Sequence, residues 1–257
     1  MLLEKKNIIV VGGTSGIGKS AVKAFINEGA FLTIVGRNSK KLSDAKALFG
    51  DNGITIEGDA SNQETINIAI KQAVGKFGDV HGLYHVAGGS GRNKGDGPIH
   101  KVTDKGWDYT KSINLDSTFY SNRAIINQFI NQGRGGAILN MSSVLSFSPS
   151  SKFFSTHAYA CTKAAIIGLS KSLASYYSKY NIRINVISPG LIATPMSERA
   201  QSDKEIISYI KKKQPLDGGR IGQSYDLDGA AIYFMSDKSN FTTGQVLSID
   251  GGWTVNG

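Results

Sequence analysis

Short apolar runs recur along the chain at 8–11, 32–35, 54–56, 83–86, 137–141, 182–187 and 245–249. They have strand length and are mostly unbroken by polar residues, which is the pattern of parallel strands buried on both faces. Longer stretches with helical spacing of apolar residues lie between them, at 17–28, 63–74, 109–131 and 157–180. Strand and helix patterns therefore alternate, and the alternation predicts an α/β fold, a doubly wound seven-stranded parallel sheet with helices on both faces. Three stretches break the rhythm, at 88–97, 144–156 and 191–222. Each follows a predicted strand, so each is expected at the carboxyl end of the sheet, where open α/β folds bind ligands, as a wall of a substrate site.

With 257 residues, 40% of them hydrophobic, and no proline- or serine-rich linker or repeat, the chain reads as a single domain over 1–257. Cys161 is its one cysteine, which excludes an intrachain disulfide or a cysteine metal cluster. The four histidines, His81, His85, His100 and His157, show neither helical pairing nor a carboxylate cluster, so no metal is expected. No apolar run approaches the roughly 18–20 residues of a membrane span, and no secretory leader is evident; the expectation is a soluble, cytoplasmic protein without a membrane partner. Twenty-nine Lys+Arg against 20 Asp+Glu give a net charge of +9, which raises nucleic acid as a partner. The basic residues are scattered, and Lys211-Lys212-Lys213 has no interleaved aromatics to stack on bases. The charge is read as a solvated surface, a minor share of it serving an anionic cofactor or substrate, with no nucleic-acid partner.

The first predicted strand ends in Gly12-Gly13-Thr14-Ser15-Gly16-Ile17-Gly18 and runs at once into a helical pattern. Strand, glycine turn and helix in that order form a phosphate cradle: glycines allow close backbone approach, and the helix N-terminus offers free N–H groups and a partial positive charge. The spacing is Gly-x-x-x-Gly-x-Gly rather than Gly-x-Gly-x-x-Gly, and a bare tight turn would look similar. The second strand ends in Gly36-Arg37-Asn38, where an acidic residue would bind ribose hydroxyls. A guanidinium there can grip a 2′-phosphate, which favours NADP(H) over NAD(H), although Arg37 could also stack on adenine or lie in solvent.

Tyr159 and Lys163 are spaced i, i+4 on the helical pattern at 157–180 and so share a helix face. A free phenol has a pKa near 10, and a neighbouring cation is expected to move it toward working pH, as a general acid/base requires. The same spacing occurs on plain amphipathic helices. The fifth strand ends in Ser142-Ser143, placing a hydroxyl at the carboxyl edge of the sheet, either as strand-end capping or as a donor to a substrate carbonyl.

The glycine turn with Ser143, Tyr159 and Lys163 resembles the short-chain dehydrogenase/reductase family, and the resemblance runs end to end. It implies a Rossmann-like fold and carbonyl/alcohol oxidoreduction with NADP(H) or NAD(H). Tyr159 then acts as proton donor or acceptor, Lys163 lowers its pKa and binds the nicotinamide ribose, Ser143 positions the reacting oxygen, and Asn114 holds a water that completes the proton relay. Cofactor contacts are implied at Gly12, Ser15, Gly16, Ile17, Gly18 and Arg37. They extend to Asp59 and Ala60 after the third strand, and to Ala87 and Gly88 after the fourth. Pro189, Gly190, Ile192 and Thr194 match the family's Pro-Gly-x-x-x-Thr element. Assembly as a homotetramer or dimer through helices at 104–131 and 159–180 is a further implication.

The sequence departs from the family in two places. His85-Val86-Ala87-Gly88 stands where the family shows Asn-Asn-Ala-Gly, and the interval from Ser143 to Tyr159 is a few residues longer, carrying Phe147, Phe153 and Phe154 as pocket wall, packing or subunit contact. Arg92, Asn93, Lys94 and Asp96 make the 88–97 segment polar enough for a hydroxyl-rich or anionic compound. Two other functions compete. One is an epimerase or dehydratase recycling tightly held NAD, for whose usual separate substrate domain the chain has no room. The other is a dinucleotide-sensing regulator without turnover, which would not need the tyrosine, lysine and serine together.

Overall fold

The computed structural model describes residues 1–256. Its strands are β1 (Asn7–Val11), β2 (Phe31–Gly36), β3 (Gly53–Glu57), β4 (Gly82–His85), β5 (Gly136–Met141), β6 (Ile182–Pro189), β7 (Ile192–Ala193), β8 (Gly222–Gln223) and β9 (Val246–Ile249). Seven of them form one parallel sheet in the order β3-β2-β1-β4-β5-β6-β9. The helices are α1 (Gly16–Asn27), α2 (Ser39–Lys46), α3 (Gln63–Phe77), α4 (Asp104–Lys111), α5 (Ser117–Gln132), α6 (His157–Tyr177), α7 (Glu198–Ser202), α8 (Lys204–Lys213) and α9 (Asp228–Met235). The fold is the Rossmann-like α/β arrangement that the alternating pattern predicts.

Side chains on β1 point alternately to the two faces and are fully buried on both. Ile8 and Val10 pack with Phe25 of α1 and Phe234 of α9, whereas Ile9 and Val11 pack with Ile66 and Ile70 of α3 and Phe129 of α5. Burial of each such side chain is worth about 1.5–3 kcal/mol, so covering both faces anchors the central strand most firmly. β1 pairs with β2 on one side and β4 on the other, and the winding reverses there. A crevice opens at the carboxyl ends of these strands.

The structure departs from the expected elements in three places. β4 ends at His85, because Val86 and Ala87 both turn their N–H groups onto the Val11 carbonyl. The helix expected over 109–131 is interrupted by a π turn at Ser112–Asp116 between α4 and α5. The 191–222 segment holds α7, α8 and the short β7–β8 ladder rather than open loop. A third core cluster lies beneath it: Val144, Ala200, Ile206, Ile210 and Trp253, with Phe153, Phe154 and Tyr209 packed against them.

Candidate active site

The glycine turn is shaped by backbone contacts. A Cβ on Gly12 would lie 2.7 Å from the Ala87 nitrogen, and one on Gly18 would lie 2.2 Å from the Gly12 oxygen. Gly16 has φ +50°, and a Cβ there would meet Thr194 at 3.1 Å. Ser15 caps α1 without a side-chain hydrogen bond, and no acidic residue occupies the first helical turn. The first N–H groups of α1 thus face the crevice uncapped, the electrostatic arrangement that suits a phosphate. These features fit a dinucleotide, the cofactor that the glycine turn implies.

Arg37 lies at the same end and is 67% exposed; its nearest carboxylate is Asp59, at 3.6 Å. Asp59 accepts from the Ser61 N–H and hydroxyl. Burial raises the Asp59 pKa, and those bonds, with Arg37 beside it, outweigh burial and leave it below the usual carboxylate range.

At the centre of the crevice, Ser143, Tyr159 and Lys163 line one cavity of about 710 Å³ together with the glycine turn. Ser142 and Ser143 have separate roles. The Ser142 hydroxyl donates to the Lys163 carbonyl at 2.7 Å, tying β5 to α6. Ser143 Oγ accepts from the Leu145 N–H at 3.2 Å, which leaves its proton free for an oxygen in the crevice. The Lys163 side chain is almost fully buried, and its Nζ donates to the Met141 carbonyl at 2.9 Å. Desolvation lowers its pKa to about 8, so it remains largely cationic at neutral pH.

Tyr159 corrects the expectation of a depressed phenol. It is partly buried and lines the crevice; burial pushes its pKa up from the ordinary phenol value, and the Ser143 hydroxyl pulls it only partly back. Lys163 Nζ is 5.7 Å from the ring centroid. The residues of the chain alone therefore keep Tyr159 protonated at neutral pH.

The expected contacts Gly12, Ser15, Gly16, Ile17, Arg37, Asp59, Ala60, Ala87, Gly88, Pro189, Gly190, Ile192 and Thr194 all border the crevice. Gly18 and Asn114 do not reach it. Gly18 packs beneath the turn against Gly12. Asn114, fully buried in the π turn, accepts from the Gly89 N–H and donates to the Gly89 and Thr110 carbonyls. It braces the Ala87-Gly88-Gly89 loop from behind. A Cβ on Gly88 would fall 2.6 Å from Asn114 Oδ1 and 3.3 Å from Lys163 Nζ, so only glycine lets these groups converge.

His85 lies in the core. Its two ring nitrogens meet the hydroxyls of Ser121 and Ser117, one helical turn apart on α5, and burial lowers its pKa to about 3. It is a neutral strut between β4 and α5. Asp96, grouped in sequence with Arg92, Asn93 and Lys94 as part of a polar segment suited to a substrate, serves a helix instead. Thr156 offers α6 no side-chain cap; Asp96 instead accepts from the Ala158 and Tyr159 N–H groups, both at 3.0 Å. His157 Nδ1 accepts from the Ile99 N–H at 3.0 Å, which ties the same helix entry to the same segment.

The three phenylalanines also separate: Phe147 is exposed, while Phe153 packs tilted against Tyr209 and Phe154 packs edge-to-face against Trp253. Lys211, Lys212 and Lys213 form the last turn of α8 and do not border the crevice. Gln214, which the sequence did not single out, is buried and clamps Leu191 by accepting from its N–H at 2.6 Å. Cys161 is exposed and outside the crevice. Among the described residues no group of three or more His, Cys, Asp or Glu could hold a metal, and no helix is long and apolar enough to cross a membrane.

A family model described as enoyl-(acyl carrier protein) reductase matches residues 11–254. L-rhamnose-1-dehydrogenase of Scheffersomyces stipitis is 33% identical, covering 99% of this chain and 98% of its own length. Gluconate 5-dehydrogenase of Gluconobacter oxydans is 32% identical over 96% of this chain and 94% of its own. A solved short-chain type dehydrogenase/reductase from Mycobacterium ulcerans superposes with a TM-score of 0.90 at 29% identity, covering 100% of this chain and 92% of that one. The glycine turn, the serine, tyrosine and lysine gathered beside it, and likeness along the whole length place the chain in the short-chain dehydrogenase/reductase family, as an NAD(P)-dependent oxidoreductase of alcohol and carbonyl groups.

Proposed function

We propose that the chain reversibly oxidises a small polyhydroxylated secondary alcohol to the carbonyl, with Tyr159 as general acid/base and NADP(H) preferred over NAD(H). The observation that carries this reading is the convergence of Tyr159, Ser143 and Lys163 on the crevice beside an uncapped helix N-terminus. When bound, the dinucleotide supplies the hydride acceptor or donor and, in its oxidised form, a positive ring charge. The glycine turn with Ser15, Gly16, Ile17 and Thr194 would hold its phosphates, Asp59 and Ala60 its adenine, and Lys163 its nicotinamide ribose. Gly18 would act from beneath as the packing that permits the turn.

In the reductive direction the protonated Tyr159 donates to the substrate oxygen as negative charge develops on it, and the Ser143 hydroxyl donates a second hydrogen bond. In the oxidative direction Tyr159 acts from its phenolate form, which the Lys163 ammonium and the positive ring charge of a bound oxidised dinucleotide would stabilise; it takes the alcohol proton and becomes the neutral phenol. Asn114 would serve the proton relay only from behind, by holding the loop against which Lys163 lies. The NADP(H) preference rests on Arg37 and the lack of an acid at 36–38. Hydroxyl-rich substrates suit the polar 88–97 wall and the rhamnose and gluconate in the relatives' names. The exposed Trp107 and Phe119 near α4 and α5 suit a dimer or tetramer, and the free Cys161 suits the reducing cytoplasm.

The test is reduced-nicotinamide absorbance with a panel of sugars, aldonates and polyols, for the parent and Tyr159→Phe. The expected result is a loss of about 10²–10⁴-fold in kcat with dinucleotide affinity kept. Turnover that survives the substitution would remove Tyr159 from the proton transfer.

A further inference from the structure

Two arginines meet at the substrate end of the crevice. Arg92 lies in the turn at Arg92–Lys94 after β4, and Arg199 lies in α7. Although far apart in sequence, both donate through Nη2 to the same oxygen, the Phe153 carbonyl, at 3.4 and 3.2 Å. Both border the same cavity as Ser143 and Tyr159. The Phe153 ring packs against Tyr209, tilted by 56° at 5.3 Å between centroids. One carbonyl thus holds two like charges together.

Among the described residues neither arginine has a carboxylate within ion-pairing distance. Arg220 is paired with Asp217 and Asp226, Arg134 with Asp79 and Arg37 with Asp59. The carboxylate that bears on the Arg92 charge is Asp96, whose two oxygens each accept an N–H at the entry of α6. Burial and the charge of Arg199 both disfavour the Arg92 cation, with Asp96 acting the other way. One carbonyl uses one N–H of each fork, and a guanidinium carries five donors. The remaining donors have the arrangement that grips an oxyanion by paired, charge-assisted hydrogen bonds.

We propose that Arg92 and Arg199 form a receptor for an anionic group of the substrate, a carboxylate or a phosphate monoester, at the end of the molecule away from the reacting carbon. The inference rests on the oxidoreductase reading, which puts the reacting oxygen at Ser143 and Tyr159, and narrows it to charged polyols. The relatives' names do not decide the matter, since rhamnose is neutral and gluconate is an acid; the paired guanidiniums of this chain decide it.

The experiment is calorimetric titration of the full chain, saturated with dinucleotide, with gluconate, sorbitol 6-phosphate and uncharged sorbitol. It is run on the parent, Arg92→Met, Arg199→Met, the double variant, and Arg134→Met as a charge control elsewhere on the surface. One or both anions should bind the parent about 10- to 100-fold more tightly than sorbitol, and which one does so separates carboxylate from phosphate. Each single variant should lose most of that preference, the double variant all of it, and Arg134→Met none; sorbitol and dinucleotide affinity should stay level in every variant, which separates lost recognition from a collapsed loop. Equal affinities in the parent, a preference that persists in the double variant, or no binding of either anion would overturn the receptor. Undiminished turnover of uncharged alcohols beside such a result would leave the oxidoreductase reading standing. Loss of the Tyr159 dependence with the anion preference intact would do the reverse.

Discussion

The two ends of the crevice are built by different means. At the cofactor end, main chain meets main chain: the Cβ positions of Gly12 and Gly18 fall onto backbone atoms of Ala87 and Gly12. At the substrate end, side chains set the shape, with Trp253 between Phe154 and Tyr209 above a small cluster separate from the main core. A surface made of backbone admits no extra atom but is indifferent to which side chains surround it. A wall made of side chains can be repacked by substitution, so specificity can change there without disturbing the cofactor.

The sharpest way to break this contrast is one methyl group at each end. Gly18→Ala puts a carbon 2.2 Å from the Gly12 oxygen, and the neighbouring backbone has to move. The expected outcome is a loss of about 1–3 kcal/mol in stability and a fall of roughly 100-fold in dinucleotide affinity, read by thermal unfolding and by NADPH fluorescence titration. Phe154→Leu, a smaller change against Trp253, should alter the substrate KM and leave dinucleotide affinity level. If the glycine variant bound dinucleotide normally, the cofactor end would not be backbone-limited.

A second, smaller effect separates backbone from side chain inside the cofactor end itself. The phosphate cradle is main chain, but the choice between the two nicotinamide cofactors is assigned to one exposed side chain, Arg37, whose nearest carboxylate is at 3.6 Å. Arg37→Glu reverses the charge facing a 2′-phosphate, and the NADPH KM should rise by about 10- to 100-fold while the NADH KM changes little. Equal changes for both cofactors, measured by initial rates, would end the assignment.

Much of this was legible because it depends on local pattern. The buried strands show as apolar runs, and strand-turn-helix order marks the glycine turn from Gly12 to Gly18, though not that Gly18 packs beneath it. What was not legible depends on partners distant in sequence. Apolar spacing continues through Ser112–Asp116, so nothing in it marks the π turn that buries Asn114. Helix α8 fully buries only Ile206 and Ile210 in a small cluster, too short a stripe to stand out. The i, i+4 spacing of Tyr159 and Lys163 fixes their shared face but says nothing of burial, which here outweighs the Ser143 hydroxyl and raises the phenol. His85 looks anomalous in sequence, yet Ser117 and Ser121 at helical spacing are the partners it needs.

Asp96 offers the smallest and most specific of these effects, because it links the two ends through the start of α6. Its carboxylate receives two N–H groups, one of them from Tyr159 itself, and places negative charge at the helix N-terminus. Asp96→Asn keeps the shape but turns an amide NH2 toward one of those N–H groups and removes the charge. About 1 kcal/mol of stability should be lost, and kcat should fall by no more than about tenfold, since a small tilt of the helix entry moves the phenol relative to Ser143. The dinucleotide dissociation constant should not change, because the glycine turn owes nothing to this cap. Asp96→Ala, which removes both acceptors, should deepen the loss in kcat without touching cofactor affinity. If steady-state kinetics showed kcat unaltered in both variants while the melting temperature fell, Asp96 would be a stability cap alone and the position of Tyr159 would be set by Ser142 and the body of α6.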